Sequence, residues 1–136
     1  FAAGVDIHGV HDFTVGGSGS GAAFQSAMTG SARFEPSDRE QAAAVAWRSS
    51  PVSSVDSWRS PVLLIHGDDD RNVAFSQTVD LARRLEAKGI PFEEMVIVDD
   101  THHFMRHANQ VRVDAAIAGF FERRFTASAA PVGGKE

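Results

Sequence analysis

Two short clusters in the 136-residue sequence carry side chains able to do chemistry: Asp68-Asp69-Asp70-Arg71-Asn72 and Asp99-Asp100-Thr101-His102-His103. A carboxylate held against an imidazole fixes the tautomer of the ring and stabilises its protonated form. The ring can then take a proton from a hydroxyl nucleophile and return it to a leaving group. The same pairing also serves as a plain structural hydrogen bond, and residue types alone leave both readings open. A metal centre is the rival, for which Asp68, Asp69, Asp70, His102, His103 and His107 offer oxygen and nitrogen donors. Adjacent His102 and His103 point in different directions in any local structure, and no pair has a metalloprotease spacing. No metal and no cofactor is therefore expected.

Each cluster follows an apolar segment that must position it. Pro61-Val-Leu-Leu-Ile-His-Gly67 reads as a strand, and its lack of alternation implies burial on both faces, as in a parallel sheet. Ser76 to Lys88 reads as a helix with Val79, Ala82 and Leu85 on one face and Gly89 as a left-handed cap. Pro91 to Val98 is the next strand. Asn109 to Phe125 is a second helix, with Val111, Ala115, Ala118, Phe121 and Phe125 spaced for a buried stripe. Ahead of these lie a short strand from Gly4 to Val10, a helix from Pro36 to about Trp47, and a turn-rich connection from Ser49 to Ser60 with room for one short helical turn.

The order strand, helix, strand, helix predicts an α/β fold with parallel neighbours. Both clusters then lie beyond the carboxyl ends of strands, on one side of the sheet, where open α/β sheets place functional residues. Three strands make a thinner sheet than the usual four to six or so. The expectation is an incomplete sheet of mostly parallel strands with flanking helices.

Composition narrows the function. There are 18 acidic and 13 basic side chains, a net charge of −5, and no basic run, which argues against nucleic acid. With no cysteine, disulfides, thiolate metal sites and a cysteine nucleophile are excluded. The longest aliphatic run is Val62 to Ile65, far short of the roughly 18 apolar residues of a membrane span. The opening Phe1-Ala-Ala-Gly-Val-Asp-Ile-His8 has no signal-peptide pattern and reads as a chain already in mid-fold, so the N-terminal boundary is expected to cut a larger domain. Without cysteine and a visible signal peptide, a cytoplasmic location is favoured. Residues 1–126 read as one segment, and residues 127–136, rich in small residues with Gly and Pro, as a flexible tail. Gly16 to Gly21 lacks the Lys-Ser/Thr of a phosphate loop and reads as a plain loop. His8 and His11 are expected to be structural or solvent-facing, His66 to pack inside the strand end, and Trp47 and Trp58 to pack in a core or interface.

Val62-Leu-Leu-Ile-His-Gly-Asp-Asp-Asp-Arg-Asn-Val-Ala-Phe-Ser-Gln77, then Leu81 to Glu93, then Val98-Asp-Asp-Thr-His-His-Phe104 together resemble the C-terminal part of the prolyl oligopeptidase family. These are serine peptidases with an α/β-hydrolase catalytic domain. Ala3 to Asp12 resembles the segment after the family's nucleophile helix, so the likeness runs over about residues 1–125. It implies the C-terminal portion of an α/β-hydrolase sheet. By the family register Asp-x-Asn/Arg-Val, matched by Asp70-Arg71-Asn72-Val73, it implies that Asp70 is the triad acid and His102 the triad base. Asn72 falls where the family places a polar group that holds a substrate carbonyl, His103 stands in for a more usual Gly, and Phe104 returns to the core.

The family nucleophile belongs to a Gly-x-Ser-x-Gly elbow ahead of the Asp. No such motif is present: Ser18 has Gly16 before it but Ser20 after it, and Ser20 lies between Ser18 and Ala22. The expectation is a peptidase catalytic-domain fragment, inactive alone, that acts on peptides when completed by the missing upstream part or by a partner chain; a homo-oligomer is a separate expectation, since an exposed sheet edge can pair with another copy. An esterase or acylaminoacyl hydrolase of the same fold, and a non-catalytic assembly module, are the alternatives.

Overall fold

The computed structural model describes residues 1–15 and 36–128. The glycine-rich run with Ser18 and Ser20, and the chain from residue 129 onward, lie outside the described residues. Three parallel strands, β1 (Gly4–Ile7), β2 (Val62–Gly67) and β3 (Phe92–Ile97), form one sheet in the order β1-β2-β3. The helices are α1 (Pro36–Ser49), α2 (Ser76–Ala87) and α3 (His107–Ser128), with a 3₁₀ helix at Pro51–Ser57 in the turn-rich connection. Among the described residues β1 and β3 each keep one edge without a strand partner. The sheet is thus an incomplete α/β sheet, as its strand count implies.

All six residues of β2 are buried, because the strand is central and covered on both sides. Alternation sorts its side chains. Val62 and Leu64 join Val52, Val55, Leu81, Ala82, Leu85 and Ile90 on the α2 side. Leu63 and Ile65 join Ile97, Phe104, Val113 and Phe120 on the α3 side. Fully burying each such aliphatic side chain contributes about 1.5–3 kcal/mol, which pins the register and with it the height of both loops.

Three details depart from the sequence reading. β1 stops at Ile7 rather than Val10, since His8 turns into the left-handed region at φ 41°. On α2 the buried apolar residues are Leu81, Ala82 and Leu85, with Val79 only half-buried. On α3 the buried stripe is Asn109, Val113 and Phe120 flanked by Ala116 and Ile117, and Val111 and Phe125 are more than half exposed. Apolar residues line both faces of this helix. Spacing therefore could not tell which face meets the sheet, and Phe120, the bulkiest fully buried side chain, takes the inner one. Gly89 closes α2 as predicted, at φ 64°, with Gly89 and Ile90 N–H groups donating to Glu86 and Leu85 carbonyls at 3.0 Å each.

Candidate active site

Parallel strands end on the same side, so three loops meet there: His8 after β1, Asp68 to Asn72 after β2, and Asp99 to His103 after β3. The loops are laced together. The Asp99 N–H donates to Asp68 Oδ1 at 2.8 Å, and the Asp69 N–H donates to the Asp100 carbonyl at 3.2 Å. Gly67 lies close against the second loop, since any β-carbon there would run into the Asp100 carbonyl oxygen. Asp100 itself is buried and organises the His loop. Its Oδ1 accepts the N–H groups of Thr101 (2.8 Å) and Met105 (2.9 Å), and its Oδ2 accepts Asn109 Nδ2 at 2.6 Å. The Asn109 bond, chiefly, holds the Asp100 carboxyl below its ordinary range.

Asp70 is the hub. Its Oδ1 accepts the backbone N–H groups of Asn72 at 2.7 Å and Val73 at 2.9 Å. Its Oδ2 accepts His102 Nδ1 at 2.8 Å and His66 Nε2 at 3.1 Å. Burial by itself would raise this carboxyl. The bonds from the Val73 N–H, the His102 ring and the Asn72 N–H outweigh it and hold the group below its ordinary value.

The partners assign the ring protons. His66 Nε2 faces two acceptors, the Asp70 carboxylate and the Val73 carbonyl (3.1 Å), so it carries the hydrogen. His66 Nδ1 is then the acceptor for the Thr78 hydroxyl at 2.6 Å. Burial first of all pushes the His66 pKa down, against the charged form of the ring. His102 Nδ1 faces only the carboxylate and donates to it, which leaves the Nε2 lone pair free on a side chain 22% exposed. This is the tautomer a general base requires.

The third loop contributes His8. Its N–H donates to the Ile65 carbonyl at 2.8 Å, and its ring lies over His102 with centroids 3.8 Å apart and 5.5 Å from Phe104. Burial, followed by the field of His102, lowers the His8 pKa. The loop behind it is anchored to α2: the His11 and Asp12 N–H groups both donate to Gln77 Oε1, at 3.0 and 2.8 Å.

The structure thus brings Asp70 and His102 together, while Asp68, Asp69, His103 and His107 are exposed. Asn72 uses its backbone on Asp70 and keeps an exposed side chain. The donor set expected for a metal reading is replaced: among the described residues, the group whose donor atoms lie within 4.8 Å of one another is His8, Asp70 and His102. Two members escaped sequence reasoning. His8, expected to be structural or solvent-facing, belongs to the site, and the rule that selects the other two loops also selects a residue just past β1. His66 packs inside the strand end as expected, and it also holds the Asp70 carboxylate four residues on.

Residues 1–128 match the sequence profile of the prolyl oligopeptidase family. Dipeptidyl-peptidase 5 of Porphyromonas gingivalis is 26% identical over 77 residues, 57% of this chain and 11% of that protein. Dipeptidyl aminopeptidase BIII of Pseudoxanthomonas mexicana is 27% identical over 84 residues, 62% of this chain and 12% of that protein. The chain therefore spans about a tenth of the length of these curated relatives. The crystal structure of Porphyromonas gingivalis dipeptidyl peptidase 4 superposes with a TM-score of 0.68 at 18% identity, covering 88% of this chain and 16% of that one. That likeness concerns the fold alone.

Proposed function

The chain belongs to the prolyl oligopeptidase family, and on that premise we propose that it contributes Asp70 and His102 to a serine-type triad for peptide-bond hydrolysis, the nucleophile coming from outside this segment. The observation that carries the reading is the 2.8 Å bond from His102 Nδ1 to a fully buried Asp70 carboxylate. An incoming Ser hydroxyl gives its proton to His102 Nε2 as its oxygen attacks the substrate carbonyl. The imidazolium so formed is stabilised by Asp70, which stays ionised because four donors surround it. His102 then passes the proton to the leaving amine, and water repeats the cycle on the acyl intermediate. The exposed Asn72 side chain is assigned to a substrate carbonyl. The dipeptidyl peptidases among the relatives support peptides over esters as substrates. An assembly module that kept these residues for structure alone would not need a free Nε2 on a partly exposed His102 side chain.

The test is hydrolysis of peptide amides and esters by the chain alone, and by the chain fused behind the upstream half of the catalytic domain of the Pseudoxanthomonas relative, which would supply the elbow. The fusion is expected to turn over peptides, and His102→Ala to lower kcat/KM by about a thousandfold or more. The chain alone should show nothing above its His102→Ala control. A fusion indifferent to His102→Ala, or His102-dependent turnover at enzyme rates by the chain alone, would overturn the proposal.

A further inference from the structure

A general base needs its free nitrogen turned toward substrate, yet a second imidazole lies against His102. The His8 and His102 ring centroids are 3.8 Å apart, and one donor atom from each of His8, His102 and Asp70 lies within 4.8 Å of the other two. Tetrahedral zinc holds nitrogen and oxygen donors at about 2.0–2.2 Å, which places them roughly 3.3 Å from each other. We propose that His8, His102 and Asp70 form a binding site for a divalent transition-metal ion of the Zn²⁺ type. The two rings supply nitrogen donors, and the Asp70 carboxylate supplies the negative charge beside the ion.

The donor chemistry selects the ion. Two imidazoles and one carboxylate suit Zn²⁺ and its neighbours rather than Mg²⁺ or Ca²⁺, which take mainly oxygen. The site is also held in place from outside. Its carboxylate is fixed by the Asn72 and Val73 N–H groups and by His66. His8 is set by its left-handed backbone and its N–H bond to Ile65. The Asp70 oxygen and His102 Nδ1 already lie 2.8 Å apart, close to the spacing of two donors on one ion. The other exposed histidines, His103 and His107, are outside the group. An ion seated here replaces the proton that His102 Nδ1 donates to Asp70, which is released to solvent, and leaves the ring with its hydrogen on Nε2, so occupancy reversibly blocks catalysis. This consequence, though not the binding itself, rests on the function proposed above.

The experiment titrates the chain with ZnCl₂ against a chromophoric chelator and repeats it with Co²⁺, whose visible absorption reports coordination. One-to-one saturable binding is expected. His8→Asn and His102→Asn should each weaken it at least about tenfold, while His103→Asn and His107→Asn leave it unchanged. Ring-¹⁵N spectra of the unmutated chain read the same assignment without any variant: Zn²⁺ should shift His8 and His102 and spare His11, which bonds to Asp6 and Gln77. Absence of saturable binding, or binding that follows His103 or His107, would overturn the site. Zn²⁺ binding at His8 and His102 without inhibition of the fused enzyme would count against His102 as the base and leave the metal site standing.

Discussion

Asp70→Asn is isosteric, and the structure argues that it is far from neutral. All four partners of the Asp70 carboxylate are donors: the Asn72 and Val73 N–H groups on Oδ1, His102 Nδ1 and His66 Nε2 on Oδ2. An amide has one oxygen and one NH₂, so whichever way it flips, two donors lose their acceptor. The cheaper orientation aims the NH₂ at the rings, because His102 can change tautomer or turn toward water. His66 cannot: both its nitrogens are buried and the Val73 carbonyl also demands its proton. His66 keeps only the Val73 carbonyl, so the bond from His102 to a charged group is lost and a buried amide hydrogen is left facing the His66 Nε2–H, a loss of about 2–4 kcal/mol. With a urea m value of about 2 kcal/mol/M the midpoint should fall by roughly 1–2 M. Ring-¹⁵N spectra should show the His102 proton moved to Nε2, the wrong tautomer for a base. A midpoint within about 0.3 M of the parent's together with an unmoved His102 proton would refute the account of Asp70 as a saturated acceptor.

Thr78→Val keeps the shape but strips the hydroxyl from His66 Nδ1. Urea unfolding should show a loss of about 1–3 kcal/mol, and Thr78→Ser, which keeps the donor, less than half of that. Gly67→Ala drives a β-carbon into the Asp100 carbonyl. It should cost about 1–3 kcal/mol and shift the His102 resonances more than those of residues in α1. His66 and His8 both have pKa values lowered by burial. The unfolded chain therefore binds protons near pH 6.5 that the native chain refuses, so stability is full above that value and declines as pH falls below it. The Asp70 contribution lies lower: present above the unfolded carboxyl value near 3.8, it is lost as pH falls through its depressed native value. Urea midpoints at pH 7.5, 5.5 and 3 should fall in that order, and equal midpoints at 7.5 and 5.5 would contradict the lowered pKa of His66 and His8.

Much of the fold was readable because its signals are local. An unbroken apolar run, Val62 to Ile65, bounded by Pro and Gly, can only be a strand covered on both sides. A periodic segment ending at Lys88-Gly89 must stop there, since a left-handed cap suits Gly at no steric cost. The α3 stripe was misassigned for an equally physical reason. With Val111, Ala115, Ala118 and Phe125 on one face and Val113, Ala116, Ile117 and Phe120 on the other, amphipathicity has no sign until the sheet chooses.

From sequence alone came the α/β class, the two loops beyond the strand ends, and the absence of a Gly-x-Ser-x-Gly elbow. Each depends on residue identity within a short window. Which carboxylate of Asp68, Asp69 and Asp70 meets His102, that His66, itself bonded to Thr78, steadies it, and that His8 lies against His102 were decided by tertiary structure. Those relations run between three strands far apart in the chain, and only the parallel register of β1, β2 and β3 sets the loop heights that bring the side chains within hydrogen-bonding distance.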